Sequence, residues 1–199
     1  MIRQIVQLFH NQIGKRIKAD ERADRETEQH PIGQSYGETE ERAETAGVRM
    51  VDRKDFERIV NESVNRRPEH GCLMIGDVDR CRDINNIYGY ESGDAVLQYV
   101  SGTVGDVLGD LVWIGSRDGD ALKIWMPTIS RDNEDVVRRR IGMINDRLLH
   151  PPGEIPPSTL SVGAAFCRMG NDCKNLIKMA NEALSIVKGN GRCGLEISI

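Results

Sequence analysis

Apolar residues recur along this chain with two periods, and the stretches where each holds predict its elements. Ile2, Ile5, Val6, Phe9, Ile13 and Ile17 return mostly at steps of three and four, with Arg3, Gln7, Lys15, Arg16 and Lys18 between them. That is the pattern of an amphipathic helix. From Lys18 to Gly47 the pattern stops, because KADERADRETEQHPIGQSYGETEERAETAG holds almost nothing large and apolar. Such a stretch cannot bury enough surface to offset the entropy of ordering, and reads as a solvated linker or partly ordered arm. A globular unit is predicted to begin near Val48, giving two regions, 1–47 and 48–199.

Within the second region, Phe56, Ile59 and Val60 form a helical stripe, and Leu73 to Gly76 reads as a buried strand. After a predicted helix comes the turn-forming run Tyr88-Gly89-Tyr90-Glu91-Ser92-Gly93-Asp94, then Ala95, Val96, Tyr99 and Val100 at helical spacing. Val104, Val107 and Leu108 carry that helix on toward Gly109. Strands are predicted at Leu111 to Ser116 and Ala121 to Met126, joined by the hairpin-compatible turn Arg117-Asp118-Gly119-Asp120. Val136, Val137, Arg140, Ile141, Ile144 and Leu148 suit a further helix with Arg138 and Arg139 in water. Pro151, Pro152, Pro156 and Pro157 make an irregular connection to a strand from Ser158 to Ala165. Leu176, Met179, Ala180, Ala183, Leu184 and Val187 mark the last helix, and Leu195 to Ile199 a closing strand. Alternating strands and helices permit an α/β fold, including a doubly wound parallel sheet.

Composition narrows the function classes. A net charge of -4 gives no sign of a general affinity for nucleic acid. Five cysteines, Cys72, Cys81, Cys167, Cys173 and Cys193, are odd in number and contain no C-x-x-C pair. That argues against a zinc site and a secreted disulfide framework, and for reduced cytoplasmic thiols. No apolar run approaches the roughly 18 to 20 residues of a membrane span. The basic residues of the N-terminal helix allow peripheral membrane contact, although packing on its own domain or on a second subunit is the commoner use of such a face.

Candidate chemistry concentrates in LMIGDVDRCRDINNIYGYESGDAVL, residues 73–97, where Asp77 and Asp79 lie two apart. In an extended chain Val78 points the other way, so at least one carboxylate can face a site. A carboxylate at a strand end suits Mg²⁺, whose shell of hard oxygens phosphates complete. As an ordinary strand and helix core with polar caps, the same stretch would make Asp77 a surface acid and Asp94 a helix N-cap.

With its spacing taken together, this segment resembles the first signature of the GGDEF, or diguanylate cyclase, family. The resemblance implies that Asp77 binds metal, and that Asn85 and Asp94 hydrogen-bond a guanine base, whose carbonyl oxygen and N–H donors an amide and a carboxylate can match. Asp118-Gly119-Asp120-Ala121-Leu122 stands where Gly-Gly-Asp-Glu-Phe is expected, so three of five positions differ. By resemblance Asp120 joins Asp77 at the metal and is the candidate catalytic base beside a 3′-hydroxyl. Ala121 replaces a Glu that active cyclases generally carry, and Asp118 replaces a Gly, adding bulk and negative charge near a triphosphate. Thr159, Ser161, Gly163 and Ala165 match the family's central strand, and Lys188 and Arg192, four apart, its triphosphate-holding pair. Basic residues at a helix end also suit the macrodipole without any ligand. Asp52 departs from a family Asn before the first helix, while Arg53 keeps the Arg. The family's inhibitory product site, an Arg-x-x-Asp, is absent, with Gly109 and Val112 in its place.

The resemblance, from near residue 50 to the end, implies a mainly antiparallel central sheet flanked by helices, like polymerase palm domains and class III nucleotidyl cyclases. Two functions follow from it. In one, two subunits each present a GTP with Mg²⁺ (or Mn²⁺) and condense them into cyclic dimeric GMP. In the other, a degenerate module binds GTP or a related nucleotide, or a partner protein, and reports this through the N-terminal helix, as a homodimer or with a signalling partner. Ala121 and Asp118 favour the second.

Overall fold

The computed structural model describes residues 49–109, 112–118 and 121–198. The predicted amphipathic helix and charged segment at the N-terminus, and Gly119 and Asp120 at the hairpin tip, lie outside the described residues.

The described elements run β1 (Arg49–Val51), α1 (Arg53–Arg66), β2 (Cys72–Val78), α2 (Cys81–Tyr88), α3 (Tyr90–Leu108), β3 (Trp113–Asp118), β4 (Ala121–Met126), a 3₁₀ turn (Arg131–Asn133), α4 (Glu134–Leu149), β5 (Leu160–Phe166), α5 (Cys173–Gly189) and β6 (Gly194–Ile197). They build one sheet of order β1-β3-β4-β2-β5-β6. The β3–β4, β4–β2 and β2–β5 pairs are antiparallel, and the outer pairs β1–β3 and β5–β6 are parallel. The sheet is therefore mixed and mainly antiparallel, as the family resemblance implies, and the doubly wound alternative is excluded.

Strand periodicity decides which face each residue meets. On β2, Cys72, Met74 and Val78 join the core under α2, α3 and α4, while Leu73 and Ile75 join the core under α1 and α5. Leu122, Ile124 and Met126 of β4 belong to the first core and Trp125 to the second. Asp77 shares the parity of Leu73 and Ile75, so the alternation that buries β2 also delivers this carboxylate to the α5 side. Helix α5 comes down hard on that face: a Cβ on Gly163 would collide with the backbone of Ala180 and Leu184. Only a glycine at this β5 position lets the helix seat so close.

Helix starts follow local chemistry. Asp52 is the N-cap of α1 and accepts the Asp55 N–H at 2.8 Å, so its departure from Asn keeps the capping function. Asp172 caps α5 in a reciprocal capping box with Asn175. Between β5 and α4, buried Asn145 donates to the Leu160 carbonyl at 3.0 Å and accepts the Leu160 N–H at 2.7 Å, which satisfies both main-chain groups where the strand begins.

Several predicted boundaries move. The run Tyr88 to Asp94 is not a broad turn: Gly89 alone, at φ 87°, separates α2 from α3, and helix resumes at Tyr90. Its N–H reaches the Asn85 carbonyl and its own carbonyl takes the Gly93 N–H, so one residue closes one helix and opens the next. Asp94 is accordingly an exposed residue inside α3 and not its N-cap. Strand β3 lies two residues later than predicted, because its pairing runs on to Asp118 opposite Ala121, past an irregularity after Gly115. Strand β5 starts at Leu160 rather than Ser158, and β6 covers Gly194–Ile197 rather than Leu195 to Ile199. Arg138 and Arg139 are exposed as expected. Arg140 is half-buried and donates to the Leu108 carbonyl at 2.6 Å, closing the end of α3.

Candidate functional site

The candidate site gathers where β2 ends beside β5 and where α5 runs out. The Lys188 Nζ lies 2.7 Å from Asp77 Oδ2, and the two side chains are 37% and 18% exposed. Opposite charges this close, and only partly desolvated, form a pair that solvent still reaches. On the β4 side the residue directly opposite Asp77 is Ala121, and on the β5 side it is Ser161. Directly opposed residues project on the same face, so the position of the family's Glu stands next to Asp77 and supplies only a methyl group. Asp120 precedes Ala121 in the chain but lies outside the described residues.

Asp79, two residues on from Asp77, has a different environment. It is 5% exposed and takes hydrogen bonds from the Thr159 and Ser161 hydroxyls, each at 2.7 Å. The Cys193 N–H adds a third at 3.1 Å to Asp79 and also approaches Ser161 Oγ at 3.2 Å. Arg192 Nε stands 3.9 Å from the same carboxylate. A buried carboxylate is tolerable when its lone pairs are taken and a counter-charge is near; both conditions are met here. Asp77 is thus the accessible acid and Asp79 the enclosed one.

On the neighbouring α2–α3 pair, the Asn85 side chain packs on α3 so tightly that a Cβ on Gly93 would strike its carboxamide oxygen. That oxygen is buried without a hydrogen-bond partner. Asn85 is therefore in contact with the residue that precedes Asp94, which brings the two predicted base-reading residues onto adjoining turns. Of the six residues singled out from the sequence, Asp77 and Lys188 are in direct contact, Arg192 lies beside Asp79, Asn85 and Asp94 sit together on α2–α3, and Asp120 is outside the described residues.

Sequence reading gave no role to the buried Asp79, Thr159 and Ser161 group. The signal was present: two acids of one strand parity, and two hydroxyl residues of one parity on a strand whose other positions are apolar or small. None of the five cysteines is in a disulfide; burial raises the thiol pKa of Cys72 and Cys167, and mainly burial pushes that of Cys173 up to about 11. Among the described residues no helix is long and apolar enough to cross a membrane.

Comparison with known proteins gives one family. Residues 48–193 match the family model for the diguanylate cyclase, GGDEF domain. Over 156 residues the chain is 32% identical to diguanylate cyclase DosC of Escherichia coli K12, an alignment covering 75% of this chain and 34% of DosC. The chain thus spans about a third of the length of the first curated relatives it matches. In fold it is similar to the coiled coil and GGDEF domain of DgcB from Caulobacter crescentus in complex with c-di-GMP, with a TM-score of 0.66 at 21% identity, covering 75% of this chain and 82% of that one. It is likewise similar to the active GGEEF domain of a diguanylate cyclase from Vibrio cholerae, with a TM-score of 0.66 at 19% identity, covering 74% of this chain and 97% of that one. The matched segment contains the Asp77 and Asp79 strand end, the Asn85 to Asp94 helix pair and the Lys188 to Arg192 loop together, and over residues 48–193 the chain belongs to the GGDEF, or diguanylate cyclase, domain family.

Proposed function

We propose that this domain serves cyclic-dinucleotide signalling by binding GTP or a related nucleotide with Mg²⁺ (or Mn²⁺), as a sensor or interaction module whose cyclase activity is weak or lost. The observation that carries the reading is the partly exposed Asp77–Lys188 pair standing directly across from Ala121. The pair offers one group for a cation and one for a phosphate, while the position opposite lacks the acid of an active cyclase.

The donor set suits a hard divalent cation: Asp77 ends a strand, is partly open to solvent, and has as its partner a flexible lysine that can move away. Asp77 would hold the cation, with Asp120 as the second carboxylate. A bound Mg²⁺ would supply charge neutralisation at phosphate oxygens. On nucleotide binding Lys188 exchanges Asp77 for a phosphate, and Arg192 provides the second cationic contact. A pair that solvent still reaches is weaker than a fully buried one, so Lys188 can leave Asp77 at modest cost. Asn85 and Asp94 would read the base: with the Asn85 oxygen turned in against Gly93, its amide nitrogen remains to donate to a base oxygen. Condensation of two nucleotides would need a second copy to present the other one, and the N-terminal segment is the candidate route for that association or for contact with a signalling partner.

Calorimetric titration of the 199-residue chain with GTP and ATP, with and without Mg²⁺, tests this. GTP should bind in a Mg²⁺-dependent manner. Asp77→Ala and Lys188→Ala should each weaken binding about tenfold or more, because losing a charge-assisted contact costs about 1.5–3 kcal/mol. Labelled GTP in the same samples should yield little or no cyclic dimeric GMP. Absence of any nucleotide affinity, or vigorous cyclic product, would overturn the reading.

A further inference from the structure

The reading above uses Asp77 and leaves its enclosed neighbour Asp79 without a task. Arg192 and Cys193 both adopt left-handed backbone, at φ 69° and 54°, a conformation that non-glycine residues leave unless their surroundings hold them in it. Two hydrogen bonds do the holding. The Arg192 N–H donates to the Val187 carbonyl at 3.0 Å, tying the loop back to α5. The next N–H, that of Cys193, donates to Asp79 at 3.1 Å and so ties it to the sheet. Asp79 is itself immobilised by Thr159, just before β5, and by Ser161 on that strand, and its second oxygen stands 3.9 Å from Arg192 Nε. The residue that should grip phosphate therefore leaves a main chain pinned on both sides, with a fixed negative charge beside its guanidinium.

We propose that Asp79 is a positioning residue for triphosphate binding: it fixes the left-handed Arg192–Cys193 peptide and thereby fixes where the Arg192 guanidinium stands to meet the phosphates. This rests on the nucleotide-binding reading. The two acids divide the work by burial. Asp77 can exchange Lys188 for a cation, whereas Asp79 cannot exchange, since three donors occupy it. It stays in place while the phosphates come and go.

A merely structural Asp79 would affect every ligand alike and would act whether or not Arg192 is present. The test is calorimetry on the 199-residue chain with Mg²⁺, using GTP and GMP as probes. The variants are Asp79→Asn, Arg192→Ala, the pair together, and Ser161→Ala, which removes one bond to Asp79 and weakens the hold on Cys193 while leaving the carboxylate. Asp79→Asn should lower GTP affinity about tenfold, roughly what one charge-assisted contact confers, and GMP affinity by less than about twofold. In the Arg192→Ala background, Asp79→Asn should cost almost nothing more for GTP, since the group it positions is gone. Ser161→Ala should show the same preference for GTP over GMP at smaller size, and it decides the matter if Asp79→Asn does not fold. Equal losses for GTP and GMP, or the same loss with and without Arg192, would overturn the assignment while leaving nucleotide binding intact. If the unmodified protein binds no GTP, the functional reading fails and the assignment falls with it.

Discussion

Ala121 is where one residue decides the most. It lies directly opposite Asp77 in the β2–β4 ladder, so a carboxylate there would share the face on which Asp77 meets Lys188. Its neighbour across the hairpin, Asp118, pairs with Ala121 in β3–β4 and occupies a position the family fills with Gly. We therefore expect Ala121→Glu with Asp118→Gly to raise cyclic dimeric GMP synthesis more than either change alone, because neighbours in one site couple rather than add. Positioned side chains that assist proton transfer contribute on the order of 10²–10⁴ in rate, so partial restoration is measurable with labelled GTP. Failure of the double variant to make product would place the loss of activity beyond these two positions. The sequence showed both substitutions, but it did not show that Ala121 and Asp77 are cross-strand neighbours. Ladder register is a property of the assembled sheet.

At the scale of elements, the link between α4 and β5 bears most directly on the site. Asn145 is buried and satisfies both the N–H and the carbonyl of Leu160, the residue just before Ser161 in the Asp79 group. With Asn145→Ala, two main-chain groups lose their partner at the start of β5 and a small void opens. Each unsatisfied buried group costs about 1–3 kcal/mol, so we expect destabilisation of about 2–4 kcal/mol in urea or thermal unfolding; a loss below about 0.5 kcal/mol would show that water replaces the amide. The elements themselves were largely legible. Helices α1, α4 and α5 and strands β2 and β4 follow from periodicity, because an amphipathic stripe or an alternating strand encodes its own burial. The misplaced pieces were those decided by a neighbour. The start of α3 was hidden because Gly-rich, polar residues 89–94 read as a turn, whereas the helix there is held by its seat on α2 and by the Gly89 hinge.

For the whole molecule, the described domain encloses two cores, one on each face of a single sheet. We propose that residues 1–47 are dispensable for folding and serve association. A protein beginning at Val48 should give the circular dichroism of a folded α/β domain, and should self-associate less than the full chain in analytical ultracentrifugation. An unfolded product, or one that associates equally well, would move the boundary or the role. The motivation is compositional: the first 17 residues offer an apolar face, and the next 30 offer little that a core can use.

The sequence by itself determined the family, the candidate positions for a nucleotide and the absence of an acid at position 121, because these depend on which residue stands at which spacing. It also determined that Asp77 and Asp79 share a strand parity. Only the tertiary structure decided what that parity means. Local pattern says that two carboxylates face one way; it cannot say that one will meet a partly exposed lysine and the other three hydrogen-bond donors, since those partners arrive from residues 80 to 114 positions later in the chain. Hydrogen-bond satisfaction and desolvation are set by what surrounds a group in space, and so the division between an exchangeable and a fixed acid belongs to the fold.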